Sequence, residues 1–297
     1  MKILNFGSMN LDHVYTVPHM VTPGETLLSG GKRLFCGGKG LNQSVAIAKA
    51  GGEIYHAGAV GEDGGILCDA LTAAGVDTRY VQRRKGSSCE TVIQVDPRGQ
   101  NSIIVYDDPA MHMEEPDLDA ILEGFGAGDI LVLQNELYNS ALMMRKAADL
   151  GLVVVFNPSP ADEKIGGYPL ERAGWLILNE VEGAALADGA QETDQILKTL
   201  RQKYPKVGIV LTLGSEGSVC CVGNRVLRQA AFPVKAVDTT AAGDTFTGYF
   251  VAGLARGEAL PDILRRASLA ASIAVTRPGA AGSIPAREEV EGALRQL

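Results

Sequence analysis

The sequence predicts an α/β fold: a doubly wound, mainly parallel sheet with helices on both faces, plus a small β-sheet lid. Three observations predict it. Short apolar runs recur at Ile3 to Phe6, Ile130 to Leu133, Val153 to Phe156, Leu176 to Leu178 and Val207 to Leu211, the last four fully apolar. That length and composition suit strands buried on both faces. Helical stretches alternate with strand-like ones: Leu41 to Ala50 stops at Gly51-Gly52, Ile54 to Val60 follows, and Ile66 to Ala74 ends at Gly75, the pattern of a parallel sheet. Finally, Glu90 to Tyr106 alternates Thr91, Ile93 and Val95, then Ile103 and Val105, around Asp96-Pro97-Arg98-Gly99, which is a hairpin signal.

The remaining elements follow in order. Val14 to Val17 and Leu27 to Phe35 are short and partly alternating, broken by Pro18, Pro23 and Gly24. With the hairpin they predict a small antiparallel sheet outside the main body, formed by approximately 12–35 and 89–107. Val219 to Val222 and Val226 to Ala230 read as a late antiparallel pair. Gly243 to Arg256, Pro261 to Thr276 and Arg287 to Leu297 read as helices. No repeat or low-complexity linker interrupts the chain, so a single domain over 1–297 is expected.

Composition narrows the function classes. The 297 residues are 46% hydrophobic and 21% charged, ordinary for a globular chain and unlike a disordered one. A net charge of −8 argues against nucleic acid as a partner, which calls for a basic stripe that displaces phosphate counterions. Anionic ligands must then be held by local devices such as helix N-termini or bound cations. No apolar run approaches the roughly 18 residues of a membrane span, and Met1 to Ser8 is too short to read as a secretory signal. Five cysteines (Cys36, Cys68, Cys89, Cys220, Cys221) without CxxC spacing point to a reduced, cytoplasmic setting. Four histidines form no HxH or HxxxH pair, so no zinc site is expected.

In a doubly wound sheet, ligands bind where strands end and loops lead into helices. The most informative such stretch is Asp238 to Phe246 (DTTAAGDTF). Small residues lead into a helix whose unpaired N–H groups can cradle charge on a transferring phosphoryl group. Asp244, in the first turn, can accept a proton from an attacking hydroxyl; alternatively it is a capping acid favoured by the helix dipole. Cys36 to Ser44 (CGGKGLNQS) resembles a phosphate loop without GxxxxGK[ST] or GxGxxG spacing. Its glycines permit close approach of a ligand, and Asn42 offers a donor and an acceptor to a polyol; a tight turn before a helix is the other reading. Asn10 and Asp12 can bind vicinal hydroxyls or form an Asx-turn, and Glu136 follows a buried strand in the same way.

Together these motifs resemble the ribokinase-like (PfkB) family of carbohydrate kinases, from Gly7 to about Pro285. Gly37 to Gly61 fits the N-terminal pattern of the family, with Asn42, Ser44, Gly51 and Gly61 in place, and Asp238 to Gly248 fits its C-terminal pattern. Phe232 to Asp244, Ala274 to Gly279 and Pro23 to Thr26 are similar to segments of the ribokinase branch. The resemblance implies ATP-dependent phosphorylation of a sugar primary hydroxyl, with D-ribose as first expectation. It implies a sugar site along Asn10, Asp12, Gly38, Lys39, Asn42 and Glu136, with Asp244 as base and Ala241, Ala242 and Gly243 as anion hole. Asn179 and Glu182 would serve the nucleotide phosphates and hydrated magnesium, although an NxxE pair is also a helix capping box. Thr212, Gly214, Ser215 and Gly217 would form a nucleotide loop, with adenine between it and Ser268. Potassium would sit by Asp238, Thr240, Ala274, Arg277, Gly279 and Ser283, several acting through carbonyls; the alternative for Arg277 to Gly279 is a helix stop. A homodimer joined lid to lid is the implied assembly.

Departures from the family bear on the substrate. Tyr106 to Met111 (YDDPAM) replaces a glycine-alanine-asparagine turn that faces the sugar, Tyr249 replaces a small residue, and Ser268 stands in place of histidine near adenine. Other acceptors open on this scaffold are another sugar, a keto-sugar acid or a nucleoside, for which Tyr15, Phe35 and Tyr106 are the aromatic candidates. A non-catalytic sugar-binding protein would lack the base or the anion hole, yet Asp244 and Gly243 are present. A dehydrogenase would need GxGxxG after the first strand, which is absent.

Overall fold

The computed structural model, which describes residues 1–297, turns each apolar run into a strand of one sheet. The chain runs β1 (Ile3–Phe6), β2 (Asn10–Thr16), β3 (Gly31–Gly37), α1 (Lys39–Lys49), β4 (Ile54–Val60), α2 (Gly65–Ala73) and β5 (Asp77–Arg83). Then come β6 (Glu90–Val95), β7 (Asn101–Tyr106), α3 (Glu115–Leu122), β8 (Ile130–Gln134), α4 (Ser140–Asp149) and β9 (Val153–Asn157). They are followed by β10 (Trp175–Asn179), α5 (Glu180–Leu186), α6 (Thr193–Lys203), β11 (Gly208–Thr212), β12 (Ser218–Val222) and β13 (Arg225–Gln229). Helices α7 (Ala242–Ala255), α8 (Leu260–Ala274) and α9 (Arg287–Leu294) complete the chain.

The main sheet has nine strands in the order β13-β12-β11-β10-β9-β8-β1-β4-β5. All pairs are parallel except those made by β12, which runs antiparallel to β11 and β13. Side-chain alternation sends each strand into two cores. Leu4, Phe6, Leu131 and Leu133 pack with α3, α4 and α6 on one face. Ile3, Ile130, Val132 and Val155 pack with α1, α2, α7, α8 and α9 on the other. Strand β1 lies between β4 and β8, so connections leave it in both directions. A crevice opens at such a switch point, beyond the strand ends.

Two sequence expectations change here. The second sheet has four strands in the order β3-β2-β6-β7, and its central pair β2–β6 is parallel, not antiparallel. Between those strands the chain completes α1, β4, α2 and β5, a crossover long enough to return in the same direction. Strand β5 was not anticipated at all. Its sequence, Asp77-Thr78-Arg79-Tyr80-Val81-Gln82-Arg83, is largely polar because it is an edge strand paired only with β4. Tyr249, by contrast, is buried in α7, and its hydroxyl donates to Pro285 O (2.9 Å). The ring fills space against the C-terminal segment, away from the helix start. No helix is long and apolar enough to cross a membrane, and all five cysteines are free thiols.

The first turn of α1 crosses the end of β1 at backbone contact. A Cβ on Gly40 would lie 2.3 Å from Gly7 C and 2.4 Å from Ser8 N. Gly38 precedes the helix at φ 93°, where a Cβ would also meet Ser8 O at 2.8 Å. In a solvent-exposed helix a glycine-to-alanine change stabilises by about 1 kcal/mol. The Gly40→Ala variant is expected to have the opposite sign and lose more than about 1 kcal/mol. Urea denaturation of the two proteins measures the difference, and a variant more stable than the parent contradicts this packing.

Candidate active site

Two cavities of about 530 and 520 Å³ meet on the loop ahead of α7. The first is a polar cleft between the strand ends of the main sheet and the second sheet. It gathers Asn10, Asp12, Gly38, Lys39, Asn42, Glu136, Asn179, Glu182 and Thr240 to Asp244. The second holds Gly214, Ser215, Gly217 and Ser268 beside Phe232, Val234, Phe246 and Val275. Thr212, Thr239, Ala242 and Gly243 line both. Asp238, Ala274, Arg277, Gly279 and Ser283 line neither.

Asp244 is the third residue of α7 and is buried, with 7% of its surface exposed. Its side chain caps nothing. Instead Asn42 Nδ2 donates to Oδ2 and Gln43 Nε2 donates to Oδ1, each at 3.0 Å. Both amides come from the first turns of α1, which α7 crosses at Gly248 against Ala46. The helix begins at Ala241, a non-glycine residue in the left-handed region (φ 59°). Such strain, of about 1–3 kcal/mol, persists where the surroundings impose it. It turns the loop so that no acceptor in the chain faces the N–H groups of Ala241, Gly243 and Asp244. Ala242 N–H is spoken for by Thr239 O (3.2 Å), so the free donors are not the full set the sequence implied.

Around the base, one ammonium faces several carboxylates. Glu136 accepts from Ser8 Oγ and from Lys39 N (3.2 Å). Burial pushes its pKa up, the Lys39 ammonium and Ser8 pull it back, and the neighbouring Asp244 pushes it up again. Burial works to lower Lys39, but Asp244, Glu136 and Glu182 outweigh it and hold its pKa above the usual lysine value. Asp12 is pushed up by burial and partly restored by Thr91 Oγ1, which donates to its Oδ1 at 2.7 Å. Among the lining residues the charged groups are Asp12, Lys39, Glu136, Glu182 and Asp244. Such a cleft suits a neutral, hydroxyl-rich guest better than an anion. Asn42 Oδ1 is buried without a partner in the chain, an acceptor left for a hydroxyl.

Asn179 and Glu182 form a capping box at the start of α5, Asn179 Oδ1 accepting from Glu182 N (2.9 Å) and Glu182 Oε2 from Asn179 N (3.0 Å). They line the cleft as well. Ser268 Oγ is a buried atom without a partner in the second cavity. Asp238 ties the α7 loop to the 274–283 loop, its carboxylate accepting from Thr240 N and Gly279 N, both at 2.9 Å. Burial raises its pKa, but the bonds to Thr240 and Gly279 overcome that and leave it low.

The Tyr106 to Met111 loop departs from its expected place, since none of its residues lines the cleft. Asp108 caps a short turn over Pro109–Met111, and Met111 inserts into the core beneath. Tyr15 and Phe35 do not line the cleft either; they carry Lys32 and Arg33 on their ring faces, 5.5 and 5.4 Å away. The second sheet instead presents Thr91, Ile93, Ile103 and Val105, the alternating residues of the hairpin. Sequence reasoning passed over Gln43 and Thr91 as site residues. Their signal was position alone: Gln43 adjoins Asn42, and Thr91 shares the inward period of Ile93.

A buried carboxylate between a polar cleft and a second cavity, with unpaired N–H groups at the junction, is an arrangement that phosphoryl transfer calls for. The chain belongs to the pfkB family carbohydrate kinases, whose pattern matches residues 1–287. It is 32% identical to a ribokinase of Haemophilus influenzae over 294 residues, 95% of each chain. It is 29% identical to a deoxyribokinase of Salmonella typhi over 97% of each chain. Arabidopsis thaliana ribokinase, solved with ribose and ATP, superposes with a TM-score of 0.88 at 29% identity, covering 99% of this chain and 98% of that one.

One residue at the margin of the site sets a pH limit. His56 is fully buried, and burial pushes it from an ordinary 6.5 down to about 4, despite its bond to Gly7 O. The unfolded chain therefore takes up a proton that the native state refuses. Stability is full above pH 6.5 and is lost as pH falls toward 4, by roughly 3 kcal/mol at the lower end. Urea midpoints at about pH 7.5 and about 4.5 should differ less in His56→Gln than in the parent protein. Equal pH sensitivity of the two removes His56 as the cause.

Proposed function

We propose that this protein is an ATP-dependent sugar kinase that phosphorylates the primary hydroxyl of D-ribose. The observation that carries the reading is the meeting of the two cavities at Ala242 and Gly243, with Asp244 at the junction. Sugar hydroxyls would bind Asn10, Asp12, Lys39, Asn42 and Glu136, with Gly38 allowing close approach. Asp244 would take the proton of the primary hydroxyl as its oxygen attacks the γ-phosphorus and the bond to ADP breaks. Charge on the transferring group would fall to the free N–H groups of Ala241 and Gly243 and to the Lys39 ammonium.

ATP would occupy the second cavity, with adenine against Ser268 and the Thr212 to Gly217 loop. The chain has no cluster of three or more His, Cys, Asp or Glu that could cage a metal. Magnesium would bind on the nucleotide phosphates, held through water by Asn179 and Glu182. It would offset the charge that this acidic cleft cannot. Asp238 and the carbonyls of Thr240, Ala274, Arg277, Gly279 and Ser283 are a donor set suited to a weakly hydrated monovalent cation. Potassium there would order the loop that presents Ala241 to Gly243.

The acidic lining weighs against a keto-sugar acid, and the absence of Tyr15, Phe35 and Tyr106 from the cleft weighs against a nucleoside. The four-stranded sheet would act as a lid within one kinase domain. Its edge strand β7 is exposed throughout, with Ile104 at 63% and Tyr106 at 51%. Pairing with a second copy would cover that edge. Light scattering at micromolar concentration should then give twice the 31.2 kDa of one chain; a monomer mass rejects lid-to-lid pairing.

The test is ADP release with ATP and magnesium across pentoses, hexoses, keto-sugar acids and nucleosides, with and without potassium. Turnover greatest on ribose and raised by potassium is the expected result. Turnover greatest on another acceptor would reassign the substrate, and none on any would remove the kinase reading. Asp244→Asn should lower kcat by about a thousandfold or more while calorimetry still detects sugar binding. Turnover near that of the parent protein would take Asp244 out of the base role.

A further inference from the structure

Four adjacent strands, β4, β1, β8 and β9, each place a polar side chain on the same face of the sheet. They are His56, Asn5, Gln134 and Asn157. His56 and Asn5 are fully buried and Gln134 is 1% exposed. Such positions, between a parallel sheet and its helices, ordinarily carry valine or isoleucine. Polar groups there are costly unless each finds a partner. They lie beneath the first turns of α1 and α7, and their bonds end on Asp244.

The bonds run in one direction only. Gly7 O can only accept, so His56 keeps its proton on Nε2 (3.1 Å) and offers Nδ1 as an acceptor. Ser44 Oγ donates to that nitrogen (2.7 Å) and must itself accept from Asn5 Nδ2 (2.8 Å). The second proton of Asn5 Nδ2 goes to Gly40 O (2.8 Å). Asn5 Oδ1 then accepts from Gln134 Nε2 (3.0 Å), which also donates to Gln43 Oε1 (2.7 Å). With its oxygen committed, Gln43 turns both N–H bonds the other way, to Asn157 Oδ1 and Asp244 Oδ1, each at 3.0 Å.

Two backbone carbonyls, Gly7 and Gly40, thus set the sense of every side-chain amide between them and the carboxylate. If Gln43 were flipped, its oxygen would face Asp244 and Asn157 Oδ1, and its NH₂ group would face that of Gln134. The low pKa of His56 keeps Nδ1 unprotonated across neutral pH. Asn42 lines the cleft and is available to a substrate, whereas Gln43 is fully buried and does not line it. The charged groups facing Asp244 are Lys39 and Glu136, with Glu182 beyond Lys39.

We infer that Gln43 is a positioning residue for the base: oriented by the buried relay from His56, its amide fixes the plane of the Asp244 carboxylate. One oxygen is thereby held by Gln43, and the other is turned, with Asn42, toward the cleft. The same N–H is a donor that an ionised carboxylate can accept. The inference rests on Asp244 being the base of the proposed reaction, but its test does not require turnover.

The experiment follows the carboxyl carbon of Asp244 by ¹³C NMR as pH is varied, the resonance being assigned by its loss in Asp244→Asn. In Gln43→Leu, loss of the donor should raise the titration midpoint by about one pH unit. Gln134→Leu retains Gln43 but removes what orients it, and should give a smaller rise in the same direction. Should Gln43→Leu fail to fold, Gln134→Leu decides alone. In the ribose assay, kcat should fall about ten- to hundredfold in Gln43→Leu, with sugar affinity by calorimetry changed less than about threefold. An Asp244 midpoint that moves in neither variant overturns the inference, whatever the turnover. Normal turnover by Asp244→Asn would instead overturn the base reading and leave the NMR result to judge the clamp.

Discussion

The contact between Gly7 and Gly40 is the constraint on which the rest of the site depends. Because neither residue has a side chain, the start of α1 lies directly on the end of β1, at the point where the sheet order reverses. That crossing brings Lys39, Asn42 and Gln43 over the strand ends. It also fixes the surface on which α7 must pack, at Ala46 and Gly248, and so brings Asp244 against the two amides. Asp244 is held by a helix remote from its own in sequence.

Electrostatics then divide the work. The polar cleft holds carboxylates around a single ammonium, so it receives hydroxyls readily and phosphates poorly. In the proposed reaction, phosphate charge would be met by what carboxylates cannot supply: the unpaired N–H groups ahead of α7 and cations. The left-handed Ala241 is the local cost of pointing those donors at the junction of the two cavities. A negative chain would thereby handle an anionic substrate without a basic patch.

The second sheet contributes shape more than charge. Its hairpin turns Thr91, Ile93, Ile103 and Val105 toward the cleft, and Thr91 reaches across to Asp12. These alternating residues shape the side of the cleft that faces the second sheet. The loop after β7, one of the departures from the family pattern, is anchored in the core through Met111.

The sequence by itself determined the parts whose cause is local. Short apolar runs became the inner strands, since burial on both faces favours apolar side chains at most positions. The hairpin was legible in its period, and the loops carrying Asn42, Glu136, Asn179 and Asp244 were legible because strand ends and helix starts have local signals. The edge strand β5 was not, since one neighbour and a solvent-facing side permit a polar sequence without a pattern. Nor was the parallel pairing of β2 with β6, because strand direction depends on the path of the chain between them. The buried relay could only be decided by tertiary structure. His56, Asn5, Gln134 and Gln43 look like unrelated polar residues along the chain, and Gln43 lies 201 positions from the carboxylate it holds. Periodicity reports which face a side chain takes. Which distant side chain it meets there is set by how strands are ordered and how closely two helices can approach.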